Sequence, residues 1–265
     1  MSRKKIGISI ALALLVVVSI NVVVLSIEPA EARDDDEVFR SACANNLKQI
    51  GLALHLFARE HEGRFPRIDD SKGNLIFEGD QMYPRYVHDV RVLGCPGDTG
   101  YFSSDTFHLM DNASHRIHSA GRPHADCITC ESYIYLGWLV TNEEEGLAVI
   151  DAYRDAYVDA LEEDFEVPKG TGNGGGDRIY RLRAGIERFL ISDINMIIRE
   201  PLAATVPIMW EWPSNHAQGG NVLYLDGHVE FVPYPGKFPM TQNFIEALRN
   251  LEAEISSDCY PIKTR

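Results

Sequence analysis

The chain opens on a 22-residue run, Ile6 to Ile27, without a single charged side chain. About 20 apolar residues are enough to cross a bilayer as a helix, so this run predicts a transmembrane span. A charged stalk follows from Glu28 to Glu37, with Pro29 inside it. From Val38 to His61 the period changes to that of a surface helix: Phe39, Cys43, Leu47, Ile50, Leu54, Phe57 and His61 recur at steps of three or four. Gly63 and Pro66 supply the stop, so stalk and amphipathic helix together occupy 28–66.

Beyond residue 66 the pattern turns to strands and irregular pieces. Gly73 to Glu78 reads as a turn with a short extended stretch, and Tyr83 to Asp98, with two prolines, as irregular structure or an edge strand. Residues 99–130 have no clean period. Ser132 to Val140 has the aromatic and β-branched content of a strand, as do Thr205 to Trp212 and Asn221 to Val232. Leu147 to Phe165 predicts an acidic helix, Pro168 to Asp177 a flexible glycine-rich connector, and Asn243 to Ile255 a last amphipathic helix. Asp226-Gly227 is a two-residue hairpin signal. Counting outward from it pairs Tyr224 with Val229 and Val222 with Phe231, on one apolar face. The expectation is α+β: an N-terminal membrane helix and a long α-helix, then an antiparallel β-sheet domain with an inserted acidic helix.

Charge narrows the setting. Twenty-five Lys+Arg against 39 Asp+Glu give a net charge of −14, which repels phosphate backbones and excludes nucleic acid as a partner. Arg3, Lys4 and Lys5 form a basic tip, residues 1–5, that stays cytoplasmic while the acidic body, 67–265, is exported. The expected location is the inner membrane, single-pass, with the C-terminal domain on the periplasmic side. The small-x-small triplet Ala30-Glu31-Ala32 leaves open a secreted form cleaved after Ala32.

Five cysteines, at 43, 95, 127, 130 and 259, are then read in an oxidising compartment. The default is a disulfide joining Cys95 to Cys127 or Cys130, with Cys43, on its helix's apolar stripe, a buried thiol. Zinc is the competing use of Cys95, His108, His115, His118, His124, Cys127 and Cys130, although the spacing fits no standard finger. A metal shared by His216 and Asp226 is disfavoured, because strand residues advance about 3.3 Å each and His216 lies beyond the far end of the strand. Asp34 to Asp36 and Glu143 to Glu145 read as solvated acidic segments, with weak calcium binding as their alternative use. The sequence offers no nucleophile–base motif, so neither catalysis nor a cofactor is expected.

Two long motifs carry a resemblance. The segment Cys43-Ala-Asn-Asn-Leu-Lys-Gln-Ile-Gly-Leu-Ala-Leu-His55, and His216 followed after nine residues by Asp226-Gly227, are similar to the planctomycete-type exported proteins of the type IV pilin-like (pseudopilin-like) family, with its prepilin-type processing-associated H-X9-DG region. Tyr83-Pro84, Cys95-Pro96-Gly97-Asp98 and Tyr234-Pro235-Gly236 look like further pieces of it, whereas 99–185 stands as a divergent insert. The resemblance marks His216, Gly219, Gly220, Asp226 and Gly227 as a structural motif within 216–227. It sets Gly7 at the processing position and Leu12 where the family carries a glutamate. It implies a non-catalytic component of a type II secretion or type IV pilus-like assembly. Other pilin-like or secretion-system subunits would be its partners, with the bilayer held through 6–27. An exported enzyme or metal-binding protein on the same scaffold is the alternative.

Overall fold

A computed structural model describes residues 30–70, 73–98, 106–111, 116–117, 122–155, 163–190, 202–251 and 259–260. The apolar run 6–27 and Gly7 lie outside the described residues, as do His115 and His118. Among the described residues no helix is long and apolar enough to cross a membrane. The chain divides into two units, Met1–Val38 and Phe39–Arg265.

The helices are α1 (Ala30–Glu60), α2 (Gly79–Met82), α3 (Glu143–Asp155) and α4 (Gln242–Arg249). The strands are β1 (His108–Asp111), β2 (Arg116–Ile117), β3 (Tyr133–Tyr135), β4 (Phe165–Glu166), β5 (Arg178–Ile179), β6 (Pro207–Glu211), β7 (Gly219–Tyr224), β8 (Val229–Pro233) and β9 (Cys259–Tyr260). The main sheet is antiparallel with order β3-β6-β7-β8, and smaller sheets join β2-β1-β9 and β4-β5. This is the α+β fold the sequence pattern predicts: a long helix packed on an antiparallel sheet.

The predicted stripe of α1 is the buried one, with Cys43, Leu47, Ile50, Leu54 and Phe57 all in the core. Gly51 lets this helix approach β7, for a Cβ there would stand 3.0 Å from a Leu223 methyl. Past Glu60 the chain turns left-handed at Glu62 and Gly63, and the Gly63 amide donates back to the Ala58 carbonyl, closing the helix. Strands β6 and β7 are buried on both faces, which fits the unbroken apolar stretches 207–210 and 222–224 within them. On the opposite side α4 contributes Phe244, Ile245 and Leu248, and Trp210 meets Phe244 at 5.8 Å between ring centres.

Four expectations are corrected. The β7–β8 hairpin is one residue out of the expected register: Leu223 faces Val229, Val222 faces Glu230 and Asn221 faces Phe231. The loop has three residues, because the Leu225 amide donates to the carbonyl of Val206, just before β6, and leaves Tyr224 to pair with His228. Gly227, at φ 88°, supplies the left-handed residue such a loop needs. Val222 and Tyr224 therefore share one face, and Asn221, Leu223, Val229 and Phe231 the other.

The acidic helix begins at Glu143, earlier than its apolar pattern, because Asn142 accepts from the Glu145 amide while the Glu145 carboxylate accepts from Thr141. Glu145 is thus buried rather than solvated, and Phe165 belongs to β4. The glycine-rich segment is a hydrogen-bonded hairpin loop, tied by Gly170 to Gly176 and by buried Asn173 to Leu139 and Tyr180. The strand foreseen over 132–140 stops at Tyr135, since Gly137 takes φ 76° against the Arg181 guanidinium.

Candidate functional site: a buried cysteine, histidine and carboxylate cluster

Three segments far apart in sequence meet where the N-terminal part of the α1 stripe crosses the sheet. Cys43 comes from α1. Cys95 follows a single 3-10 turn, Val90–Leu93, whose Arg91 amide donates to the capping Asp89 carboxylate. Pro96 and Gly97 then turn the chain so that the Asp98 amide donates to the Cys95 carbonyl at 2.9 Å. Glu211 is the last residue of β6, and His216 sits in the loop between β6 and β7. The two sulfurs are 2.7 Å apart, Cys95 Sγ lies 3.4 Å from His216 Nε2, and that nitrogen lies 3.3 Å from Glu211 Oε1.

Each residue is held from behind. The Asn221 amide donates to Glu211 Oε2 at 2.6 Å, and the Cys95 amide to Ser132 Oγ at 2.9 Å. Asn46, one turn along from Cys43, donates to the Gly94 carbonyl, and the Asn221 side chain donates to the Arg40 carbonyl of α1. Gly97 is required by contact rather than conformation: a Cβ there would lie 2.8 Å from the Asn215 carbonyl oxygen and 3.0 Å from His216 Cε1. Asn215 itself is fixed by bonds to Trp212 and Ser132.

The electrostatics are those of a closed pocket. The Glu211 and His216 side chains are 0% exposed, as are both cysteines. The neighbouring Cys95 thiol and then burial push the Cys43 thiol far above its ordinary range. For His216 burial opposes the imidazolium, but hydrogen bonds to Cys43 and the Glu211 carboxylate more than offset it and hold the ring at about 10. Tyr133 of β3 lies opposite Glu211, and burial, then the negative groups of the cluster, drive its hydroxyl well up. Chemically the cluster offers two thiols that can lose protons or join, and one ligand atom from each of four side chains, all within 4.8 Å of one another.

The motif residues fall on both sides of this site. His216 enters it. Gly219 and Gly220 stand beside it for want of room: a Cβ at Gly219 would overlap the Val232 carbonyl, and one at Gly220 would press on Met240 and Glu211. Asp226 and Gly227 lie at the hairpin tip, where Asp226 Oδ1 accepts from the His228 amide at 3.0 Å and contacts His228 Nδ1 at 2.6 Å. The structure does not bring Asp226 to His216.

The expected bridge from Cys95 is not formed. Cys43, Cys95 and Cys130 are buried thiols outside any disulfide, while Cys127 is disulfide-bonded elsewhere. The physical reason is placement: the turn that caps Val90–Leu93 aims Cys95 at α1, and Cys130 is drawn toward the Gly73 carbonyl. His108 and His124 stay apart, bonded to Thr106 and paired with Asp126. Sequence reasoning missed Glu211. Its signal was a lone carboxylate at the end of an otherwise apolar strand. A second concavity, about 740 Å³, is lined by Arg64, Arg67, Arg181 and Arg183, and there Arg64, Arg67 and Arg183 pair with Glu62, Glu78 and Asp164.

No family model, curated protein or solved structure matches this chain.

Proposed function

We propose that the chain is a membrane-anchored, pilin-like structural protein, a component of an exported assembly of the type II secretion or type IV pilus-like kind, with no catalytic step of its own. The observation that supports this reading is the seating of α1. A long helix near the N-terminus lays its apolar stripe on a four-stranded antiparallel sheet, and it follows an apolar run long enough to span a bilayer. The residues shared with the pilin-like motifs act in packing: Gly51 brings helix to sheet, Asn46 and Asn221 tie helix to loop and strand, and Gly97, Gly219 and Gly220 permit close approach. A scaffold built this way presents helix and sheet surfaces to neighbouring subunits.

The test is alkaline carbonate washing of membranes from cells expressing the full chain, followed by mass measurement of its N-terminus. The expected result is protein retained in the pellet and photo-crosslinked through its exposed surfaces to pilin-like subunits. Complete release into the supernatant, with a chain beginning at Arg33, overturns the anchored reading.

A further inference from the structure

We propose that Cys43, Cys95, Glu211 and His216 bind one divalent ion of the zinc class, as a closed four-coordinate site that clamps α1 to the Cys95 turn and to the β6–β7 loop. Two thiolates, an imidazole and a carboxylate are a ligand set that zinc takes in tetrahedral geometry. Metal–sulfur bonds of about 2.3 Å and metal–nitrogen or metal–oxygen bonds of about 2.0–2.1 Å fix the edges of the tetrahedron. Its nitrogen–oxygen edge is then roughly 3.3–3.4 Å and its sulfur–nitrogen edge roughly 3.5 Å. The observed separations are 3.3 Å between His216 Nε2 and Glu211 Oε1 and 3.4 Å between Cys95 Sγ and His216 Nε2. The sulfur pair, at 2.7 Å, must open by about 1 Å to reach the roughly 3.8 Å sulfur–sulfur edge, a side-chain adjustment of Cys43 or Cys95.

The surroundings fit a structural site rather than a catalytic one. All four ligands come from the protein, all are buried, and no position is left for water. The second shell is in place, since the Asn221 amide fixes the free oxygen of Glu211 and Ser132 fixes the Cys95 backbone. The balance is simple: each thiol gives up its proton to solvent as its sulfur joins the ion, and no electrons are transferred. Binding energy then becomes folding energy, because the unfolded chain holds Cys43 and Cys95 far from each other and from the Glu211–His216 pair. Burial also keeps oxidants from the two thiolates in an oxidising compartment.

The experiment measures zinc in the full chain, extracted in detergent without chelator from cells grown with zinc. The expected content is about one ion per chain. It should remain so in Cys130→Ser, and fall on the order of tenfold or more in Glu211→Gln and His216→Ala. Replacing the ion in the unmutated chain with cobalt needs no variant to fold. The prediction is a thiolate-to-cobalt charge-transfer band together with the intense visible bands of tetrahedral cobalt. A folded chain that, as extracted and with no oxidant added, holds no metal and has Cys43 and Cys95 joined as a disulfide overturns the proposal. So does zinc retained undiminished in both ligand variants, or cobalt bound without thiolate bands.

Discussion

Gly97→Ala is the sharpest single perturbation of the junction. The added methyl would stand 2.8 Å from the Asn215 carbonyl oxygen, 3.0 Å from His216 Cε1 and 3.2 Å from His216 Nδ1. None of these neighbours is the free end of a long side chain. Asn215 is held by Trp212 and Ser132, and the His216 ring is wedged between Cys95 and Glu211. Ordinary contact therefore requires the Cys95 turn and the β6–β7 loop to part by about 0.5 Å, at an overpacking cost of about 1–3 kcal/mol. For a body of this size that is a fall in melting temperature of about 2–12 °C. Gly227→Ala is the control. It has φ 88° and nothing within 4 Å, so its cost is the backbone term alone, about 1–2 kcal/mol, and it is confined to the hairpin tip. The assay is thermal melting of the full chain in detergent together with alkylation of the native protein and peptide mapping. Gly97→Ala should melt earlier and let Cys95, fully buried in the parent, react faster, whereas Gly227→Ala should leave Cys95 protected. A Gly97→Ala chain that melts with the parent and keeps Cys95 equally protected refutes the reasoning.

Two further substitutions separate tip from core. For Asp226, burial opposes ionisation, but the bonds from the His228 backbone and ring outweigh it and hold the carboxyl below its ordinary value. Its contribution is thus present above about pH 4 and lost as pH falls through the lowered value. Asp226→Asn keeps an oxygen for the His228 amide but loses the charge, so it should melt slightly below the parent at pH 7 and show a flatter loss of stability on acidification, the two converging as pH falls through the lowered value. An equal acid loss in both proteins contradicts this. Leu47→Ala, at 0% exposure between Cys43 and Gly51 on α1, should cost about 2–5 kcal/mol in denaturant unfolding. A loss below about 1 kcal/mol means that the stripe is not seated on the sheet.

The α1 stripe was legible because five of its members recur at helical spacing and face one layer. The main strands were legible from β-branched and aromatic runs. The hairpin register was not, since Asp226-Gly227 fits both a two-residue and a three-residue loop. The choice is made by Leu225, whose amide is taken by the Val206 carbonyl, just before β6. The glycine-rich segment looked like a linker because composition records conformational freedom and not the buried Asn173 that removes it. At the site, Cys43, Cys95 and His216 were each visible in a motif, but their meeting depends on long-range packing that no local spacing encodes. Glu211 was hidden by an apolar strand whose last side chain turns toward α1.

Cys43 faces Cys95 across the junction, and this pairing can be measured directly. The folded full chain, stripped of metal with a chelator and treated with a mild thiol oxidant, is alkylated, digested without reduction and mapped. The predicted product is a single new disulfide joining the Cys43 and Cys95 peptides, with Cys130 alkylated only after unfolding. Cys95 joined to Cys127 or Cys130, or Cys43 recovered as a freely alkylated thiol while Cys95 is bridged elsewhere, would contradict it.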